Sequence, residues 1–320
     1  MLTLRVAHWA KCGIRPVVPL PGFRETLSVM FDRYIAVDWS ASSSPKTGAN
    51  SIWICNLAQD GDPVTTNPPT RGRAEEQLRD LIFDAIDRGE RVLIGFDFPY
   101  GYPRGFASAL GLEGPAWSAI WRYLAVHVQD ARLTNENNRF EVASAINARL
   151  VHHTFWGRPA ARRLNSLSAR RDQVQYGIDR EAADLGEWRE VELMLHRRGS
   201  HTQSVWKLWG AGSVGSQALT GIPVVYRLRH DPRLEAISRV WPFEVDVPEL
   251  PEGHGAVVHA EIWPSLDATP YDGGLIRDQA QVIRLARSWR HGDRSGTLAA
   301  MLTAQSLAAT EEGWILGVVN

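Results

Sequence analysis

The chain has 320 residues, 44% of them hydrophobic and 22% charged, with a formal net charge of −1. That balance fits one large globular α/β domain or two smaller ones, and excludes a chain dominated by disorder. Near-neutral charge excludes a global electrostatic footprint for nucleic acid or an anionic membrane, so any polyanion site must be local.

Two cysteines, Cys12 and Cys55, are too few and too far apart for a disulfide framework or a cysteine-rich zinc site, and a reducing cytoplasm is expected. No apolar run approaches membrane-spanning length. Residues 1–29 contain Pro16, Pro19 and Pro21 and no continuous apolar core. They read as an N-terminal extension without fixed structure, not a secretory signal, with Met30 as the biological start and 30–320 as the domain.

The run from Tyr34 to Trp39 alternates β-formers and reads as a buried strand that delivers Asp38 to its end. A Ser-rich turn follows over 41–50, then a second strand over 51–56 and a short third over 64–66, giving an antiparallel meander. Leu78, Leu81, Ile82, Ala85 and Ile86 space one helical face between Arg71 and Arg88, and Gly89 supplies a stop. The fourth strand, 91–97, again ends in an acid, Asp97. Strand-strand-strand-helix-strand, with acids closing the first and fourth strands, is the opening of a ribonuclease-H-like mixed sheet. Side by side and parallel, the two strands would bring their carboxylates together at the edge where open α/β sheets bind ligands.

From 100 to about 221 the pattern turns helical and loopy and reads as a large helical insertion, with helices near 114–130, 139–150 and 180–198. Seven arginines fall between 149 and 180 against Asp172 and Asp179, either a solvated ion-paired face or a phosphate contact. Thirteen tryptophans, among them Trp117 with Trp121 and Trp206 with Trp209, read first as core packing and second as base-stacking platforms. Residues 257–263 form a further strand pattern carrying Glu261. A helix over 276–290 has Asp278 near its start, where the helix dipole alone accounts for an acid. An Ala-rich helix over 295–309 and an edge strand near 315–318 complete the chain.

Gly210 to Gly215 matches the dinucleotide fingerprint G-x-G-x-x-G literally, yet it reads as a decoy, because Gly221-Ile222-Pro223 should end any helix within two turns. No Walker loop, G-x-S-x-G elbow or H-E-x-x-H motif is present. What remains is the acid set Asp38, Asp97, Glu261 and a helix acid, Asp278 or Asp293. Hard divalent cations take oxygen ligands, and two such ions suit in-line phosphodiester attack without a His or Ser nucleophile.

The segments Ile35 to Ala41, Gly95 to Gly101, Ser204 to Leu208, Ala260 to Ser265 and Ile276 to Val282 resemble a bacterial family of unknown function described as predicted nucleases of ribonuclease-H-like fold. Some relatives carry labels from molybdopterin guanine dinucleotide synthesis. The likeness covers nearly everything from Met30 onward and implies Mg²⁺ or Mn²⁺ held by Asp38, Asp97 and Glu261. Asp278 is the fourth candidate, because its segment matches the family. Related folds often place a final acid inside the last Ala-rich helix, where this chain departs with Gly296-Thr297-Leu298-Ala299-Ala300, and Asp293, one turn earlier, is the alternative. The expected function is a metal-dependent nuclease or phosphodiesterase acting on nucleic acid or a nucleotide, with Lys207, Arg162 and Arg163 on substrate phosphates. The rivals are a non-catalytic protein of molybdopterin guanine dinucleotide metabolism and an actin-like phosphotransferase using the Ser42–Asn50 turn, which would need a duplicated second half.

Overall fold

A computed structural model describes residues 29–177, 185–244, 255–266, 273–303 and 306–319. The expected extension lies outside the described residues apart from residue 29. The strands β1 (Arg33–Asp38), β2 (Trp53–Ala58) and β3 (Val64–Thr66) form the antiparallel meander read from the sequence. Helix α1 (Arg71–Asp87) then carries the chain over one face to β4 (Arg91–Phe96), which pairs parallel with β1. Two later strands, β5 (Ser238–Val240) and β6 (Ala256–Glu261), add on parallel beyond β4, so the mixed six-stranded sheet runs β3-β2-β1-β4-β6-β5.

Local chemistry explains the elements. Thr70 caps α1 by accepting a hydrogen bond from the Arg73 amide, 3.2 Å away, and Gly89 ends it at φ 74°, a left-handed conformation that costs glycine little. Ala74, Leu78, Ile82 and Ala85 line its inner face against Ile35, Val37, Val92 and Ile94. The opposite face of the sheet, built from Tyr34, Ala36, Leu93 and Val258, receives helix α7 (Arg277–Arg294) through Val282, Leu285, Ala286 and Trp289. Buried on both sides, β1, β4 and β6 are near-continuous apolar runs, as parallel central strands must be.

Between β4 and β5 lie α2 (Phe106–Ala109), α3 (Ala116–His127), α4 (Arg139–Asn147), α5 (Glu190–Arg197) and α6 (Val214–Arg229). The expected 114–130 and 139–150 helices form in shortened versions. The 180–198 expectation is met only at Glu190–Arg197, with 178–184 outside the described residues. α6 overturns one expectation. It runs straight through Gly221 and Pro223, burying Ala218, Leu219, Ile222 and Val225 in the same core as α1. The expected insertion boundary at 221 therefore falls inside a helix that packs on the sheet.

The last Ala-rich segment forms two short helices, α8 (Thr297–Met301) and α9 (Ala309–Glu312), with 304–305 outside the described residues. The 315–318 segment contributes only a single bridge, Ile315 to Glu261.

The α7 seam is tight at one point. A Cβ on Gly95 would lie 2.6 Å from Ile262 Cγ2 and 2.7 Å from the Trp289 ring. Gly95→Ala is therefore expected to cost about 1–3 kcal/mol of stability in chemical denaturation, through overpacking between the sheet and α7. A neutral result would show that the helix rides loosely on the strands.

Candidate active site

The β1–β4 register pairs Val37 with Phe96, so the next residues, Asp38 and Asp97, leave the two strands side by side at their carboxyl ends. Both fall on the α7 face. Their carboxyl groups come within hydrogen-bonding reach of one another. Asp97 is anchored by the backbone beside it: its Oδ1 accepts from the Trp39 amide at 2.6 Å, and its own amide donates to the Val37 carbonyl at 3.2 Å. Burial, followed by the charge of Asp278, pushes Asp38 up to about 7. Burial and then the charge of Asp38 hold Asp97 well above the usual carboxylate range.

Asp278, in the first turn of α7, lies close enough for its charge to raise both carboxyls. One of its oxygens, Oδ2, accepts from the Asn50 amide at 2.6 Å, which ties the helix start to the turn after β1. Its neighbour Arg277 is close enough to pull Asp38 back toward the ionised form. Arg277 did not stand out in the sequence, although its place beside an acid at a helix start was the available signal.

Asp293 and Glu261 go elsewhere. Fifteen residues separate Asp278 from Asp293 on one helix, about 22 Å at 1.5 Å per residue, which carries Asp293 to the far edge of the sheet. There it is buried and accepts from the amides of Met30 (2.7 Å) and Phe31 (2.8 Å) and from the Tyr34 hydroxyl (2.6 Å), pinning the entry to β1.

Glu261 lies one position off. It pairs with Phe96, not with Asp97, and successive side chains on a strand point to opposite faces. Its carboxylate accordingly faces away from α7. It is held by both Nη atoms of Arg189 at 2.5 and 2.7 Å and by the Tyr100 amide at 2.8 Å. The expectation that Glu261 joins Asp38 and Asp97 is thus corrected by strand parity.

The expected phosphate contacts are dispersed. Lys207 donates to Gln203 Oε1 (2.9 Å) and to the Ala211 carbonyl (2.5 Å). Arg162 pairs with Glu141 and lies over the Phe140 ring, 5.1 Å from its centroid. Arg163 is exposed and, with Arg158, lines a shallow cavity of about 510 Å³.

Two buried arginines that the sequence did not single out hold the turn after β1. Arg71 donates to the Ser40 and Ser42 carbonyls while paired to Asp130, and Arg139 donates to the Ser43 hydroxyl at 3.0 Å. The glycine-rich segment at 210–215 does precede a full helix, but the residues before it form turns, not the strand a dinucleotide site requires.

Among the described residues, no group of three or more His, Cys, Asp or Glu is arranged to hold a metal ion by itself. The donor set nevertheless suits a hard cation. Mg²⁺ is commonly held by one or two carboxylates, with waters and substrate oxygens filling its sphere. Two crowded carboxyls raised by burial and by the charge of neighbouring carboxyls gain most from an added positive charge.

Without such a cation, Asp38 makes the folded state bind more protons than the unfolded chain between about pH 4 and pH 7, and the raised Asp97 acts in the same direction. The contribution of Asp38 to stability is then full below about pH 4 and is lost as pH rises through about 7. Urea unfolding in EDTA should show this decline, and Asp97→Asn should flatten it, with Asp278 and Arg277 left as the charges facing Asp38. An unchanged slope in the Asn variant would mean that the carboxyls do not interact.

Comparison with known proteins gives no bearing here: no protein family, curated protein or solved structure matches the chain. Among the described residues no helix is long and apolar enough to cross a membrane.

Proposed function

We propose that this chain is a divalent-metal-dependent phosphodiester hydrolase of ribonuclease-H-like architecture, acting on nucleic acid or a nucleotide. The meeting of Asp38 and Asp97 at the carboxyl ends of two adjacent parallel strands carries the reading, with Asp278 brought to them by α7. A meander followed by a crossover to a parallel fourth strand, with acids at the ends of β1 and β4, supports the architecture. Among the described residues there is one such sheet, and no duplicated half of the kind an actin-like phosphotransferase needs.

Asp38 and Asp97 would hold Mg²⁺ or Mn²⁺, with Asp278 orienting the assembly from its bond to the Asn50 amide. A bound cation supplies an activated water and a counter-charge for the leaving oxygen of an in-line displacement. The chain's own part is preorganisation. The Trp39 amide fixes Asp97, the seam at Gly95 fixes α7 against the sheet, and Arg277 offers positive charge at the site's edge.

Purified protein incubated with single-stranded and duplex DNA, RNA and dinucleotides should release cleaved products with Mg²⁺ or Mn²⁺ and none in EDTA. Absence of cleavage across that panel with both cations would remove the reading.

A further inference from the structure

The arginine at the first position of α4 braces the turn after β1, yet its charge is not compensated by the bonds it makes. Arg139 is 4% exposed, and its bonds go to neutral acceptors: Ser216 Oγ at 2.8 Å, Ser43 Oγ at 3.0 Å and Asn137 Oδ1 at 2.7 Å. Among the described residues it has no carboxylate partner. The two acids whose charge reaches it are bonded elsewhere, Asp130 to Arg71 and Glu141 to Arg162. A buried charge left without a counter-charge is costly and calls for an anion. Burial and the neighbouring Arg71 and Arg162 charges lower Arg139 to about 10, in line with that shortage.

A second observation lies next to it. Trp209 is 55% exposed and is the only exposed tryptophan among the described residues. Its ring stands 6.2 Å from that of Phe140, and the guanidinium groups of Arg139 and Arg162 lie over the same Phe140 ring at 4.4 and 5.1 Å. An indole left in water beside two cations combines a stacking face with phosphate charge, which is how single strands are bound without sequence readout.

The inner end of this patch reaches the turn that follows β1. Arg139 touches Ser43 in the turn that follows Asp38, and its partner Ser216 adjoins Gln217, whose side-chain amide donates to the Trp39 carbonyl at 2.6 Å.

Resting on the hydrolase reading, we infer that Arg139 and Trp209 form a track for single-stranded nucleic acid, Arg139 taking a backbone phosphate and Trp209 stacking an unpaired base outside it. The track leads a flexible strand toward Asp38 and Asp97. Duplex is disfavoured because its bases are already stacked and face inward.

The test is binding, read in EDTA so that no cleavage is needed. Fluorescence anisotropy of a short fluorescein-labelled oligothymidylate should show single-strand binding at low salt, weaker binding of the same strand annealed to oligoadenylate, and a roughly tenfold loss for Trp209→Ala with most of it restored in Trp209→Phe. Arg139→Met should lower the slope of log affinity against log salt by about 0.7, one phosphate contact on a single strand. If Arg139→Met does not fold, the exposed Trp209 variants decide the matter. Wild-type affinity in Trp209→Ala, equal affinity for duplex, or no binding at all would overturn the track. Binding that depends on Trp209 in a protein that cleaves nothing would leave the track standing and remove the hydrolase. Cation-dependent cleavage with Trp209→Ala binding unchanged would do the reverse.

Discussion

Asp38→Asn and Asp97→Asn should each lower cation-dependent cleavage by roughly 10³-fold or more, the equivalent of about 4 kcal/mol of transition-state stabilisation. The size follows from what the pair does. The two carboxyls share one small site, so neither can be spared without losing a cation ligand and half of the charge that attracts it. Stability should move the other way. Without cation the wild-type protein carries repulsion between Asp38, Asp97 and Asp278, and an amide at either of the first two relieves it. The Asn variants are thus expected to unfold at equal or higher urea concentration than wild type in EDTA.

Added Mg²⁺ or Mn²⁺ at a hundredfold excess over its dissociation constant should stabilise wild type by about 2.7 kcal/mol and the variants by much less. Thermal and urea unfolding with and without cation check this independently of any substrate. Wild-type turnover in either Asn variant, or a wild-type protein indifferent to both cations, would show that the carboxyl pair does not hold a metal.

Arg189→Met is expected to cost about 3–5 kcal/mol of folding free energy. Arg189 is completely buried between Glu192 and Glu261, donating to both carboxylates and to the Glu312 carbonyl. Burial works against its charge, and Glu192 and Glu261 more than offset that, holding the guanidinium above its usual range. Removing it strands two carboxylates in the interior, where each must be protonated or left uncompensated.

The variant should accordingly recover part of its stability at acidic pH, where Glu261, already raised by burial even with Arg189 present, takes up a proton. Glu261→Gln separates this role from metal binding: the cation-induced stabilisation should survive it. Loss of that stabilisation in Glu261→Gln would return Glu261 to the metal site, against the strand register. Near-wild-type urea unfolding of Arg189→Met would mean that the cluster is hydrated and not part of the core.

Asp38 and Asp97 were legible because each closes an apolar run, and an acid at the end of a buried strand is a local feature of the chain. The meander and α1 were legible for the same reason, since their periodicity and turn residues act over a few positions. Pro223 misled for a matching reason. As a local signal it ends helices, yet α6 is carried past it by the burial of Ile222, Val224 and Val225 in the core.

Alternation and spacing within short stretches of the sequence determined β1 to β4 and β6, the first helix and the two acids at strand ends, because those depend on neighbours only a few residues away, whereas β5 was not read from the sequence and the 315–318 segment did not become a strand. The choice between Asp278 and Asp293, the turning of Glu261 toward Arg189, and the arrival of Arg139 beside Ser43 were decided by the tertiary structure. Each depends on which end of a helix reaches the sheet's carboxyl edge, on a one-residue register between strands far apart in the chain, or on a contact across 96 residues.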